Sequence, residues 1–400
     1  MKKILVVASL VALFAVACQK TEVLNQMEDH HGLTFTTEFG KLTKVPGANG
    51  GGMENLQAQD FRIWAYAASD FDNTPENDAN QIFDNIKNVK VYDYVPTGAS
   101  VASWKTDQQY FWPGTNKSLM FFAVSDSPAY LKAEGPTVTD SPVEIDPAAR
   151  TMSIKNYVVN PLDPNNDLMV ANFIKQHQGQ SEKKVNLKFN HALSKVQFLF
   201  KTNGVPTGGE PITVFVQKLE VGELDENDAV VNGLKNSGTL NVTVKETTQG
   251  VEPSEGVPGT AEVSTLNLDW TLDATMNIYT DNYETVPSNF PTSIDGVAVT
   301  DATDKSAMEL ATTEQVFATW LVLPQDVKGK KVKVTYLING RQFTNEFNLD
   351  AFAATTATTA PWTVNQYIKY NINLSPNLIT FDAEVAPWNP EAGSDVTHTN

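Results

Sequence analysis

The chain has 400 residues, 41% of them hydrophobic, with 20 Phe, 11 Tyr and 7 Trp, so a packed core can form and the length suits two ordinary domains. A formal net charge of −18 and only three arginines (Arg62, Arg150, Arg341) exclude a nucleic-acid or anionic-membrane partner recruited by charge. Its single cysteine, Cys18, excludes a disulfide framework.

Lys2 and Lys3, the apolar run 4–14 and the small residues Ala15-Val16-Ala17 are the three parts of a signal peptide. The run is too short for a bilayer core, which needs roughly 20 apolar residues. Cys18 follows at once, and the arrangement resembles the lipobox of bacterial lipoproteins. That resemblance implies removal of residues 1–17, a lipid on Cys18 and anchoring to a membrane without crossing it. Gln19-Lys20-Thr21-Glu22, with Glu28 and Asp29 beyond, partly resembles the signal that sends Bacteroidetes lipoproteins to the outer face of the outer membrane. Residues 18–32 are therefore expected to be a tether, and the cell outer membrane the location.

From residue 33 the dominant period is two, the signature of strands. Leu33, Phe35, Thr37 and Phe39 alternate in a first short strand, 33–42, which the glycine-rich loop Pro46–Gly52 separates from the body of its domain. Phe61-Ile63-Ala65 alternates with Arg62-Trp64-Tyr66, and Val89-Val91 and Val185-Leu187-Phe189 continue the pattern. So do Val196-Phe198-Phe200, Val214-Val216, Leu240-Val242-Val244, Leu266-Leu268-Trp270, Val316-Ala318-Trp320, Val332-Val334-Tyr336 and Ile368-Tyr370-Ile372. No long amphipathic helical stretch appears, and turn-forming clusters separate the runs, so the expected class is all-β, built as two tandem antiparallel sandwiches. The polar stretch Gln176–Lys184 places the division, giving units 33–182 and 183–388 and a flexible tail, 389–400. Around Gly250–Val257 and Pro287–Asp304 the connections are long and polar, as exposed insertions are.

Residues in chemically suggestive patterns are few. His30 and His31 fall in the tether and His398 in the tail, and His191 lies in a strand-like run, where a buried hydrogen-bonded residue is expected. No histidine pair or cysteine cluster has zinc-ligand spacing. Asp163-Pro-Asn-Asn-Asp167 and Glu223-Leu-Asp-Glu-Asn-Asp228 offer alternating oxygens. However, an EF-hand counted from Asp163 would need Gly and Glu where Leu168 and Ile174 stand, so solvated turns are expected. Neither a nucleophile elbow nor a phosphate loop occurs. Trp104, Tyr110 and Trp112 could stack on a sugar, although strand aromatics more often fill cores. The expectation is a protein without cofactor, metal or enzymatic activity.

Three segments carry a family resemblance. Phe61-Arg-Ile-Trp-Ala-Tyr is followed by Tyr110-Phe-Trp-Pro-Gly and Leu119-Met-Phe-Phe-Ala-Val. Asp167-Leu-Met-Val-Ala precedes Phe189-Asn-His-Ala-Leu-Ser-Lys-Val, and Tyr370-Asn-Ile-Asn-Leu precedes Val385-Ala-Pro-Trp388. Their order and spacing, together with the Cys18 signal, resemble the fimbrillin-like lipoproteins of Bacteroidetes, the subunits of type V pili. The resemblance implies two transthyretin-like sandwiches and proteolytic removal of the first strand. A strand of the next subunit would then fill the vacated groove. The removable strand would be 33–42, with Leu33, Phe35, Thr37 and Phe39 its alternating residues. Family shaft subunits are usually cut after an arginine near this point. Here no arginine precedes Arg62, so Lys41 and Lys44 are the candidate processing residues, and an unprocessed chain would serve as a lipid-anchored base, a terminal subunit or a stand-alone adhesin. The implied function is a structural or anchoring pilus subunit in cell adhesion, with other pilus subunits, the membrane and a surface ligand as partners. The alternative is a surface glycan-binding lipoprotein of a nutrient-uptake system, and a hydrolase comes third. Exposed aromatics on one flat face would favour the alternative; an apolar groove beneath strand 33–42 would favour the pilus subunit.

Overall fold

The computed structural model describes residues 33–39, 61–68, 91–94, 103–106, 110–112, 118–125, 142–161 and, with short gaps, 167–388. Among the described residues the chain is built of strands, with short 3-10 turns such as Thr303–Lys305 and Leu349–Phe352. Most pairings are antiparallel. The all-β class expected from the alternating runs is what the chain adopts.

One long sheet runs, in hydrogen-bonded order, through Val91–Tyr94, Ser103–Thr106, Thr34–Phe39, Lys184–His191, Met169–Ala171, Ser118–Ser125, Phe173–His177, Glu262–Leu272, Ser237–Thr248, Thr151–Val158 and Val143–Asp146. Phe61–Ala68 pairs onto Ser118–Ser125. The central strands of this sheet are buried on both faces. Leu119, Phe121 and Ala123 enter one core with Phe61, Ile63 and Ala65. Met120, Phe122 and Val124 enter a second with Trp64 and Tyr66. Trp64 and Tyr66, which simple alternation would turn toward solvent, are therefore core residues. The first core is covered by Phe35, Val185, Leu187 and Phe189, and the second by Met152, Ile154, Leu240 and Val242.

Hydrogen bonding does not break at residue 182. Lys184–His191 and the hairpin Ser237–Thr248/Glu262–Leu272 both belong to the long sheet. Alternation reveals which face of a strand is buried, but not which strand lies beside it.

A second pair of sheets encloses its own core. One face is Gln315–Val322, Ser194–Lys201, Tyr367–Ser375 and Leu378–Ala386; the other is Val230–Val231, Val214–Leu224, Lys331–Ile338 and Arg341–Asn348. Tyr279–Asn282 and Met308–Glu309 pair additionally to Val214–Leu224. Trp320, Tyr336, Trp362 and Tyr370 fill the space between. Ala192 and Leu193 link the adjoining strands across the junction and are fully buried with Leu321, Leu323 and Trp388. There the carboxylate of Asp167 meets His191 Nδ1 at 2.7 Å, and Trp388 stacks on the His191 ring at 4.2 Å.

Trp320 shows how polar groups are accommodated at the edge of this core. Its indole N–H donates to Asp281 Oδ2 at 2.9 Å. Burial pushes the Asp281 carboxyl above the usual carboxylate range; the Trp320 hydrogen bond opposes this, and Glu284 adds to it. The folded chain therefore holds this proton more tightly than the unfolded chain. Its contribution to stability is complete below the unfolded-state pKa and is lost as pH rises through the raised folded value. Asp281→Asn, which keeps an acceptor for Trp320, is expected to raise stability at neutral pH. It should also remove this loss on going from mild acid to neutral, as read by denaturant titration across that pH window.

Candidate functional site

The chain's most distinctive arrangement is the seat of its first strand. Thr34–Phe39 lies parallel to Lys184–His191, with Thr34 opposite Lys184 and Phe39 opposite Phe189. On its other side it pairs antiparallel with Ser103–Thr106 through Phe35–Trp104 and Thr36–Ser103. Leu33 N–H donates to the Tyr110 carbonyl at 2.7 Å. Parallel pairing between these strands is slightly weaker per residue than antiparallel pairing, so side-chain burial carries much of the attachment.

Leu33 and Phe35 supply that burial. Phe35 meets Phe121 edge-on, ring centres 6.0 Å apart, and Trp112 meets the same Phe121 at 6.1 Å. Phe61 and Phe189 continue the floor at 5.3 Å. Each fully buried large apolar side chain contributes roughly 1.5–3 kcal/mol. Without Thr34–Phe39, an apolar trough over Phe121 and Trp112 would open between two strands with unmatched backbone groups, which is the chemical environment that recruits an added strand.

Thr37 and Phe39 occupy register positions opposite Leu187 and Phe189, and their side chains lie outside the described residues. Cys18, Lys41 and Lys44 also lie outside them. The imagined platform of Trp104, Tyr110 and Trp112 is not formed, since Trp112 is fully buried in the core beneath the first strand and Tyr110 packs against it. The oxygen-rich segment 223–228 has other uses. Asp225 Oδ1 accepts from the Asn227 and Ala229 N–H groups, and these bonds hold its carboxyl below the usual range. Glu223 accepts from Lys330 Nζ at 2.8 Å and from Asn232 Nδ2 at 3.0 Å. Asp167 faces His191, and among the described residues no group of three or more His, Cys, Asp or Glu side chains is placed to hold a metal.

A second element repeats the first strand's pattern, although the alternation read from the sequence did not single it out. Leu378–Ala386 is an edge strand whose described pairing is with Tyr367–Ser375 alone. Its residues Ile379-Thr-Phe381-Asp-Ala383-Glu-Val385 repeat the pattern of Leu33-Thr-Phe35-Thr-Thr37-Glu-Phe39, with Thr, Phe and Glu at equivalent places and apolar residues at both ends. Phe381 is half-buried, stacked on Phe347 at 4.8 Å and on Tyr370 at 5.4 Å. Comparing the two ends of the chain would have revealed the correspondence; reading each strand separately does not.

The model of the fimbrillin-like family matches residues 48–388. No curated protein matches the chain. Among solved structures, a fimbrial protein of Bacteroides vulgatus is similar at 14% identity and a TM-score of 0.46, covering 90% of this chain and 100% of that one. A Bacteroides ovatus protein provisionally assigned to cell adhesion gives 14% identity, a TM-score of 0.46 and coverage of 90% and 99%. A fimbrial assembly protein of Parabacteroides distasonis gives 11%, 0.41, 90% and 98%.

Phe35→Ala is expected to lower stability by roughly 3–5 kcal/mol, because it empties a fully enclosed site. Phe111→Ala, at a half-exposed ring, should cost less than about 1 kcal/mol. Denaturant titration of both variants checks the contrast.

Proposed function

Since the chain belongs to the fimbrillin-like family, we propose that it is a structural or anchoring subunit of a type V fimbrium in cell adhesion, assembled by exchanging a strand between neighbouring copies. The observation that carries this reading is the repeat of the first strand's pattern in the edge strand Leu378–Ala386. Slot and insert are thus encoded in one sequence. An incoming Ile379-Thr-Phe381 places apolar groups where Leu33 and Phe35 sit, and its backbone meets the edges of Lys184–His191 and Ser103–Thr106.

Processing between the first two strands opens the slot. Lys41 and Lys44 are the basic residues in that connection, so a lysine-directed cut frees Thr34–Phe39 from the body of the fold while the signal at Cys18 stays with the released piece. A chain left uncut remains joined to the outer membrane by lipid on Cys18 and ends or anchors a fibre. The signal-peptide pattern and the lone cysteine support this part.

Treating lipid-free protein with a lysine-specific protease is expected to cut at Lys41 or Lys44 and to yield a detergent-resistant ladder on an unboiled gel. A synthetic peptide of residues 378–386 should bind clipped protein and not intact protein, with a change in tryptophan emission as Trp112 is covered again. Clipped protein that neither ladders nor takes up the peptide would overturn strand exchange. Separately, Cys18→Ala should leave the fold intact and move the protein from the membrane fraction to the soluble one; retention in the lipid-extractable fraction would remove the anchor from the proposal.

A further inference from the structure

The polar connection after Asn282 is exposed along much of its length, as expected, yet two of its apolar residues anchor it. It folds back onto the outer face of the sheet formed by Val214–Leu224, Lys331–Ile338 and Arg341–Asn348. Phe290 and Ile294 pack on Phe215, Ala307 and Leu337, a small apolar cluster separate from the main cores. Phe215 and Phe290 lie 5.4 Å apart, and Ala307 N–H donates to the Thr285 carbonyl at 2.9 Å. The insertion is therefore seated as a fixed cover.

Beside this seat the cover and the sheet part, leaving a cavity of about 550 Å³. Gln217, Lys218, Tyr283, Asp304, Thr335 and Gln342 are among its lining residues. One wall is shaped by a backbone irregularity. The register of Val214–Leu224 against Lys331–Ile338 slips between Val216 and Lys218, so Gln217 is the extra residue of a β-bulge. Freed from the ladder, its carbonyl accepts from Tyr283 N–H at 3.0 Å and its Nε2 donates to the Asp304 carbonyl at 2.9 Å. Bulges interrupt a ladder and re-aim side chains, and they concentrate next to functional sites.

The chemistry of the lining selects a ligand class. Carboxamide, hydroxyl and carboxylate groups side by side suit adjacent hydroxyls, which donate and accept in pairs. The Tyr283 ring, half-buried and leaning on Phe317 at 5.4 Å, adds an apolar face. Lys218 is already matched by Glu220 at 3.0 Å, and Asp304 and Glu284 oppose an anion. The volume falls within the roughly 300–1,000 Å³ of small-molecule sites, and an apolar guest would leave the carboxamide, hydroxyl and carboxylate groups of the wall without partners. We propose that this trough binds a neutral, hydroxyl-rich saccharide. None of its lining residues belongs to the first strand, its neighbours or Leu378–Ala386, so the proposal stands apart from strand exchange.

Saturation-transfer NMR on the full mature chain, with lactose, mannobiose and chitobiose as probes, tests it. Transfer to at least one sugar is expected. Affinity should fall roughly tenfold in Gln342→Ala and in Thr335→Val, the loss of about one hydrogen bond each, with thermal unfolding unchanged in Gln342→Ala and, since Thr335 is buried, measured alongside binding in Thr335→Val. Gln342 is exposed on an edge strand, so its variant keeps the fold and the test remains decisive. Absence of transfer to all three sugars, or equal transfer in wild type and both variants, would overturn the proposal.

Discussion

The whole arrangement depends on a strand that cannot face water on either side. In Ser118–Ser125 every residue is buried, odd and even positions serving different cores. A sheet with two apolar faces must be covered twice, and at roughly 25 cal/mol per Å² of apolar surface neither face can be left open. One cover comes from the hairpin Ser237–Leu272 with Thr151–Val158, which is continuous with the rest of the sheet. The other includes Thr34–Phe39, whose links to its neighbours are a short parallel ladder, a shorter antiparallel one and the buried side chain of Phe35, with Leu33 buried just before it. The need for a cover is permanent, whereas the identity of the strand that provides it is not fixed by the same forces. This asymmetry makes a replaceable first strand physically reasonable.

The junction between the two sets of sheets follows a different logic. Lys195 is nearly buried; burial pushes its ammonium down while Asp167 opposes the shift. Asp167 and His191 face each other beneath the Trp388 ring, and Ser125 Oγ donates to the Asp167 carbonyl while accepting from Met169 N–H. Buried polar groups of this kind cost free energy if any partner leaves. They therefore hold strand ends in one geometry more than they add net stability. Trp388 brings the end of the described chain into this network, so the last strand is fastened at its C-terminal end as well as along its ladder.

Much of this could be read from the residues. The alternation of Val185, Leu187 and Phe189, or of Val332, Val334 and Tyr336, specifies a strand and its buried face without further information. Leu33 and Phe35 were legible for the same reason, and both are buried. Three things were not. The unbroken apolar run of Ser118–Ser125 signals burial on both faces, but does not say that two separate cores result. Arg341–Asn348 is a polar edge strand with no period to detect. The likeness of Leu378–Ala386 to the first strand joins segments over three hundred residues apart and is invisible to any local window. Pairing across sequence distance, as in the hairpin that joins the long sheet from beyond residue 183, is set by competition among all strands at once.

If the edge strand Leu378–Ala386 is the insert, its home contacts matter as much as the slot. There it lies antiparallel to Tyr367–Ser375, with Phe381 clasped by Phe347 and Tyr370. In the slot Thr34–Phe39 now runs parallel to Lys184–His191, and an insert that takes over its register does the same. The strand therefore cannot slide from one site to the other; it must leave its ladder, turn and re-pair. Both sites offer an aromatic contact for one Phe, but Phe381 is half-buried at home while Phe35 is fully enclosed in the slot, so the exchange gains apolar burial at this position. What gives it direction is the empty slot, whose exposed floor over Phe121 and Trp112 is unfavourable until something covers it. Cleavage would then act as the switch, by creating the vacancy, and the incoming strand needs no greater intrinsic affinity than the strand it replaces.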